Sequence, residues 1–538
     1  MVAVDLQEAA AVIEAAHGVV RQGIAQLKSA GRDAVDTQQV LAYDLAHAAS
    51  AVETARGMLD YGAKGEVEGR LAVAFVADAV ADLAGRAWGR EGLWGITPDA
   101  LGSTRDFVAR YRDPAFVADL ADEQGPRHLD PDFEMVQDAF RRFAEDRIVP
   151  RAEEIHRHNL DIPEDVISGL GEMGAFGLSI SEAYGGFASG SQSDYLGMVI
   201  ATEELSRGSL GAGGSLITRP EILARALETG GTEDQKTTWL PRLATGEIMA
   251  AVAVTEPDYG SDVANIKVMA TPTEGGYLIN GVKTWCTFAA RGDVLMLLAR
   301  TDPDRSKSHR GLSLFVVPKP RGDGHGFRFA QEAGAGAGPG DGAPGGGVIE
   351  GRPIDTLGYR GMHSYELAFD NWFVSADNLI GGEAGLGRGF YYQMAGFENG
   401  RLQTAARAVG VMQAAYEAAH EYARNRVVFG QAIGDFQLTR AKLGRMVATI
   451  QAARQFMYEV GRLMAKGEGQ MEASMVKAYV CRAAEWVTRE ALQIHGGMGY
   501  AEEYTVSRLF VDARVLSIFE GADETLCLKV IARRLVES

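Results

Sequence analysis

The sequence predicts a mainly α protein with a β domain set in its middle, and two observations carry that prediction. Apolar residues recur at intervals of three and four up to about residue 250, and again from about 388 to the end. Between these stretches, short runs rich in β-branched and aromatic residues are broken by Gly, Asp and Pro. With 46% apolar and 23% charged residues, the 538-residue chain can build several cores. At about 150 residues each, that length suits three or four domains.

Residues 1–125 read as a helical extension. Segments such as LAYDLAHAASAVETARGMLDYG and RLAVAFVADAVADLAGRAW each carry one apolar stripe, which a lone helix cannot bury. No catalytic cluster is evident there, so the extension reads as scaffold or interface. A second helical domain is expected over 131–250, where Phe133, Val136, Phe140 and Phe143 have helical spacing. Pro150 marks an end or a kink in it, and the turn-rich EAYGG follows at 182–186.

The runs AVAVTEP, YLINGVKTWCTF, DVLMLLAR and LSLFVVP predict an antiparallel sheet or barrel over 251–385. Inside it, AGAGAGPGDGAPGGG at 333–347 cannot contribute to a core. It reads as a mobile surface insertion, either without chemistry or serving as a substrate-responsive lid. Over 388–538 the helical period returns. Leu443, Met446, Ile450, Phe456 or Met457, Val460 and Leu463 share one side of a long helix. Three more helical segments would complete a four-helix bundle.

Composition removes several function classes. Acidic residues outnumber basic ones 72 to 53, for a net charge of -19, so no nucleic-acid footprint is expected. No uncharged apolar run approaches the roughly 18 residues of a membrane span. The N-terminus is acidic where a secretory signal would be basic. Cys286, Cys481 and Cys527 stand too far apart for a disulfide framework or a CxxC knuckle, which suits a reducing, cytoplasmic compartment. Ten dispersed histidines and the lack of HExxH point to no metal site. A Rossmann fingerprint, a P-loop and GxSxG are also missing, so any cofactor is held by another route.

Five segments carry polar chemistry. In TEPDYGSD, Thr255, Ser261 and Asp262 follow an apolar strand, presenting hydroxyls and amides to an anion or a heteroaromatic edge, or else forming a capped turn. In KTWCTF, strand alternation would put Trp285 and Thr287 on one face, for stacking on a ring and bonding to it, or would make Trp285 core filler. In YARNRVVFGQAIGDFQLT, Arg424 and Arg426 near a helix end, with Phe429 and Gln437, suit a diphosphate carrying adenine. QIHGGMGY permits close backbone approach, with His495 as structural donor or catalyst. In LSIFEGADETL, Glu520 follows an apolar run, either as a desolvated base of raised pKa or as an ordinary turn or helix-start acid.

Taken in order, EAYGG, TEPDYGSD, INGVKTWCT, LGYRGMHSYELAFDNWFV, RNRVVFGQAIGDFQ, QIHGGMGY and IFEG resemble the acyl-CoA dehydrogenase family over about 131–538. The resemblance implies a helical domain, a β domain and a C-terminal four-helix bundle around FAD. By the family pattern Thr255, Ser261, Trp285 and Thr287 line the flavin. Arg426, Phe429, Gln437, Gln493 and Gly497 hold the ADP part, commonly across a subunit interface. Glu520 matches the base that removes the α-proton as the β-hydride leaves for flavin N5. Its backbone N–H and a flavin hydroxyl would meet the thioester oxygen. A minority branch draws its base from the helix carrying Arg401, where this chain has Gly400. One departure stands out: the family's EGT reads Glu520-Gly521-Ala522, so a threonine contact to FAD is missing.

With the extension and the texture of FENGRLQTAARAVG and FEGADETLCLKV, the resemblance further implies a family member that converts (2S)-methylsuccinyl-CoA to mesaconyl-CoA, works as a homodimer and passes electrons to electron-transferring flavoprotein. A short branched-chain acyl-CoA dehydrogenase, an O2-using oxidase and a non-catalytic flavin-binding scaffold are the alternatives. A buried succinyl-type carboxylate needs a cation or a dense donor set. Arg219, in the stretch lining the acyl pocket of relatives, is the expected partner or else a surface ion pair. Arg401, His363 and Tyr365 complete the expected substrate set.

Overall fold

The N-terminal residues are helical, as their apolar spacing requires, with Leu6–Ser29, Gln39–Gly62 and Glu66–Ala87 as the long elements. Asp5 caps the first by accepting from the backbone N–H groups of Gln7 and Glu8. Its buried face, Ala9, Val12, Ile13, Ala16, Val19, Val20 and Leu27, follows the helical repeat. The computed structural model describes residues 4–191, 194–323, 325–332 and 346–537. The expected glycine-rich insertion lies outside the described residues except for Gly346 and Gly347.

Residues 1–140, 206–208 and 401–538 form one unit, and 141–205 with 209–400 form another. In the first, the extension packs on the C-terminal helices Gln437–Met464 and Gln470–His495 and on the later part of Gly389–Asn425. Gly444 lets the Gln437–Met464 helix press against the chain near Val117, where a Cβ would lie 2.0 Å from the Val117 carbonyl oxygen. Tyr416 Oη donates to the Ala121 carbonyl at 2.8 Å. Leu443, Met446, Ile450, Phe456, Met457 and Val460 are buried on one side, as their spacing predicts; Leu463 is half-buried.

Pro150 marks an interruption in a helical run rather than its end. Pro131–Phe143 is α-helical, Ala144–Ile148 is a π turn, and Pro150 lies in the first turn of the next helix, Val149–His158. The π turn just before it breaks the regular i to i−4 ladder at the point where proline has no N–H to donate.

The second unit packs helices such as Thr218–Gly230 and Glu233–Ala244 on an eight-stranded sheet. Its strands are β1 (Ala250–Ala253), β2 (Met269–Thr273), β3 (Gly276–Lys283), β4 (Val294–Arg300), β5 (Leu312–Pro318), β6 (Phe327–Ala330), β7 (Val348–Ile354) and β8 (Ser364–Ser375). The order is β1-β4-β2-β3-β8-β7-β6, with β5 on β4. The sheet is mixed, not antiparallel throughout: β1 and β2 both run parallel to β4. The long excursions between these strands give the chain room to return in the same direction. Strand β4 is buried along its length: Val294, Met296 and Leu298 join the helix-facing core, and Leu295, Leu297 and Ala299 the opposite one. That is why DVLMLLAR is apolar without alternation.

Candidate active site

The expected flavin-lining residues sit on two crossing segments of the β-containing unit. Directly after β1, Thr255 is followed by Glu256, whose buried carboxylate accepts from the backbone N–H of Lys267 at 2.6 Å and of Val268 at 2.8 Å. Lys283, fully buried at the end of β3, donates to Glu256 Oε1 at 2.9 Å and to the Val254 carbonyl at 2.8 Å. Burial pulls the Lys283 ammonium down against the charge of Glu256. This pair pins the TEPDYGSD loop from beneath, while Gly260, Ser261 and Asp262 face outward.

Trp285 and Thr287 are not strand neighbours. Strand β3 ends at Lys283, and the chain turns through Trp285 (φ 57°) and Phe288 (φ 67°), both in the left-handed region. The Thr284 N–H donates to the Thr255 carbonyl at 2.8 Å, and that of Cys286 to the Tyr365 carbonyl at 3.0 Å. The turn thus splits the two residues. Trp285 is 56% exposed, while Thr287 is buried with its hydroxyl 3.1 Å from that of Ser364.

The expected substrate partners are only partly brought together. Arg219 is buried near the start of the Thr218–Gly230 helix and donates to Tyr359 Oη at 3.2 Å. Burial pushes the Cys286 thiol up to about 12, opposed by the charges of Lys283 and the nearby Arg219. His363 pairs instead with Asp161 at 2.9 Å. Tyr365 belongs to the sheet core, its ring beside Phe327. It contributes its backbone to the Trp285 turn and its side chain to packing.

In the helical unit, Gly389–Asn425 ends near Arg426 and a tight hairpin follows, Val427–Val428 against Gln431–Ala432. Its two tip residues, Phe429 (φ 52°) and Gly430 (φ 86°), are both left-handed, the type I′ geometry. Phe429 is 96% exposed, and Arg426 and Gln437 are exposed beside it along the chain. Tyr422 stacks on His495, with centroids 4.2 Å apart, which joins this hairpin's base to the QIHGGMGY segment. His495 is buried, and its Nδ1 lies 2.8 Å from the Ala491 carbonyl oxygen, so it is a structural group. Gln493 and Gly497 face outward, and a Cβ at Gly496 or Gly497 would meet nothing within 4 Å.

Glu520 occupies a left-handed turn (φ 54°), followed by Gly521 at φ 105°. Its side chain is buried, but the carboxylate is not isolated. Oε2 accepts from Thr404 Oγ1 at 2.6 Å and from Arg407 Nη2 at 2.6 Å. The Arg407 guanidinium also covers the Phe519 ring at 4.6 Å. Lys477, buried, donates to the carbonyls of Leu516 at 3.1 Å and Gly521 at 2.7 Å, bracketing the turn. Burial holds this ammonium below its ordinary range, with Glu520 among the charges opposing the effect. Arg401, also buried, donates to Ser474 Oγ at 3.2 Å. Thr404, Arg407 and Lys477 escaped the motif reading. The signal was present: Arg401, Thr404 and Arg407 recur every three residues on a helix otherwise rich in Ala, Val and Leu.

Comparison with known proteins identifies the family. Residues 130–247, 251–339 and 387–536 match the N-terminal, middle and C-terminal domain models of acyl-CoA dehydrogenase. The (2S)-methylsuccinyl-CoA dehydrogenase of Cereibacter sphaeroides is 38% identical, over 99% of this chain and 97% of that protein. The mitochondrial 2-methylacyl-CoA dehydrogenase of Solanum tuberosum is 34% identical over 76% of this chain and 91% of its own. Among solved structures, the glutaryl-coenzyme A dehydrogenase glutaryl-CoA complex superposes with a TM-score of 0.67 at 30% identity, covering 76% of this chain and 96% of that one. With a buried glutamate on a braced turn and full-length similarity to such enzymes, this chain belongs to the acyl-CoA dehydrogenase family and is an FAD-dependent oxidoreductase of that type.

Proposed function

We propose that this chain oxidises (2S)-methylsuccinyl-CoA to mesaconyl-CoA, a step of the ethylmalonyl-CoA pathway. The alignment with the Cereibacter protein carries the reading, because it runs through the N-terminal extension as well as the three family domains. Buried Arg219, in the stretch expected to line the acyl pocket, supports a dicarboxylic substrate. A substrate carboxylate buried without such a partner would cost several kcal/mol.

The residues fit FAD. In one unit Trp285 stands out from its turn beside the Thr255 segment; in the other, Arg426, Phe429, Gln437 and Gln493 are exposed donors and an aromatic, and the backbone at Gly496 and Gly497 is open. When bound, FAD supplies the acceptor for the β-hydride. Glu520 removes the α-proton. Its side chain is buried, so that the bound acyl chain can close water away from the base. Thr404 and Arg407 aim that carboxylate. The Glu520 backbone N–H is the donor for the thioester oxygen as charge develops there. Gly400 offers no side chain for the alternative base.

The near-complete exposure of Phe429 supports a homodimer in which a second copy covers that hairpin. Electron-transferring flavoprotein is the proposed acceptor and the cytoplasm the proposed location. No helix among the described residues is long and apolar enough to cross a membrane.

The test is anaerobic bleaching of the flavin by a panel of acyl-CoAs. Rapid bleaching by (2S)-methylsuccinyl-CoA, with little by butyryl- or isobutyryl-CoA, is expected. The similarity to the 2-methylacyl-CoA dehydrogenase favours a branched apolar acyl group as the second reading. Bleaching by apolar acyl-CoAs alone would select it and discard the carboxylate-binding role of Arg219.

A further inference from the structure

The turn that carries Glu520 is tied to the N-terminal extension through side chains some 480 positions apart in the sequence. Tyr43 and His47 lie one helical turn apart on Gln39–Gly62, and both reach the same oxygen of Asp523. Tyr43 Oη donates to Asp523 Oδ2 at 2.5 Å, and His47 Nε2 lies 3.1 Å from it. The two rings meet edge to face with centroids 4.7 Å apart. Cys527 Sγ closes the cluster, 3.4 Å from His47 Nε2 and 3.9 Å from Asp523 Oδ1. Burial alone would push the Asp523 carboxyl up, but the bonds and charge of His47 and the bond from Tyr43 hold it below its ordinary range.

The N, O and S atoms of His47, Asp523 and Cys527 all lie within 4.8 Å of one another, which also suits a divalent ion. Two donors already converge on Oδ2, however, so the cluster is satisfied as a hydrogen-bonded network. Asp523 is three residues past Glu520, and its backbone N–H donates to the Ser517 carbonyl at 3.1 Å, closing the turn around Phe519, Glu520 and Gly521. Ala522 offers no polar side-chain atom, so Asp523 is the first residue after Glu520 with a side chain able to anchor the turn. A left-handed glutamate persists only where its surroundings over-determine it.

We propose that Tyr43 and His47 are positioning residues for Glu520. The extension holds Asp523, and Asp523 holds the left-handed turn from which Glu520 reaches the substrate. This rests on the assignment of Glu520 as the base. The extension is then part of the catalytic apparatus as well as a scaffold.

Anaerobic flavin bleaching at saturating acyl-CoA, with FAD content and KM measured alongside, tests it on the full-length holoenzyme. Tyr43→Phe keeps the ring and removes only the hydroxyl. It should slow bleaching roughly tenfold, less than the ~100-fold that a 1 Å misplacement can cost, with FAD content and KM unchanged. Asp523→Asn should slow it similarly, and the double variant should be no slower than the slower single one, because the two act along one path. His47→Gln, which keeps a donor near Nε2, should retain the rate that His47→Ala loses. Wild-type bleaching in Tyr43→Phe, or losses that multiply in the double variant, would overturn the proposal. So would a stoichiometric divalent metal lost in Cys527→Ser, which would make the cluster a metal site. Glu520→Gln separates the two readings: if it still bleaches, the base is misassigned, whereas a dead Glu520→Gln beside a normal Tyr43→Phe refutes only the positioning.

Discussion

The two groups of candidate residues are held in place by different means. In the β-containing unit, Thr255 and Trp285 stand on backbone: Thr284 N–H on the Thr255 carbonyl, Cys286 N–H on that of Tyr365, and a single buried Glu256–Lys283 pair beneath them. In the helical unit, Glu520 is held by side chains from helices far away in the chain, Thr404 and Arg407 directly and Lys477 through two carbonyls. Backbone bonds place a surface on which something docks. Side-chain bonds aim one carboxylate. A variant in the first region should therefore change binding and stability together, while one in the second should change rate with the fold intact.

The largest expected effect comes from the aimed carboxylate itself. Glu520→Gln preserves size and a hydrogen-bonding oxygen for Arg407 but cannot take a proton. Bleaching by acyl-CoA should fall by about 10³-fold or more, within the range that a positioned general base supplies. FAD content should stay normal. Loss of FAD along with activity would erase the distinction between the two regions.

Lys283→Met is the counterpart in the β-containing unit. It leaves the Glu256 carboxylate buried without its cation and should destabilise the protein by about 3–5 kcal/mol in denaturant titration, releasing FAD as the TEPDYGSD loop loosens. Adding Glu256→Gln should recover part of the loss, because the stranded charge disappears while an acceptor for a backbone N–H remains. A stable Lys283→Met protein with full FAD would show that the backbone bonds suffice.

These regions were not equally legible in the sequence. The helical and β textures were, because apolar period reports burial directly, and so were segments whose chemistry is local, such as TEPDYGSD and the glycines of QIHGGMGY. The β-strand reading of Trp285 and Thr287 failed because alternation assumes a strand that continues, and left-handed turns at Trp285 and Phe288 carry no glycine to announce them. The extension showed no cluster because Tyr43 and His47 find their partner, Asp523, only after folding. Arg407 was hidden for the same reason: the sequence shows a polar residue on an apolar face but not the carboxylate it meets.

Glu221 gives a titration within the β-containing unit. Burial pushes its carboxyl up to about 7, against the charge of Arg225 and bonds from Asn399 and Ser179. The folded state then binds more protons than the unfolded one between about pH 4.5 and 7. Stability from the neutral form is therefore complete below that window and lost as pH rises through it. A shift of that size corresponds to about 3 kcal/mol at most. Glu221→Gln should flatten the slope, gaining on the wild type as pH rises and levelling off above 7. A parallel pair of stability curves would mean that Arg225 already neutralises the carboxylate in full.

The smallest effect probes how the extension is attached. Asp78 bonds Arg445 of the Gln437–Met464 helix and Arg112 of the extension, each at 2.8 Å, yet all three side chains keep substantial solvent exposure. Such pairs contribute about 0–1 kcal/mol and weaken with salt, because water already solvates both ions and two long side chains lose freedom. Phe75, by contrast, is buried with its ring 5.8 Å from that of Tyr479, and cutting it to Ala should cost about 3–5 kcal/mol. Asp78→Asn should accordingly shift the unfolding midpoint only slightly, and not at all in 1 M salt. A salt-insensitive loss larger than that of Phe75→Ala would mean that the extension is held to the C-terminal helices by charge, and its apolar stripes would need another explanation.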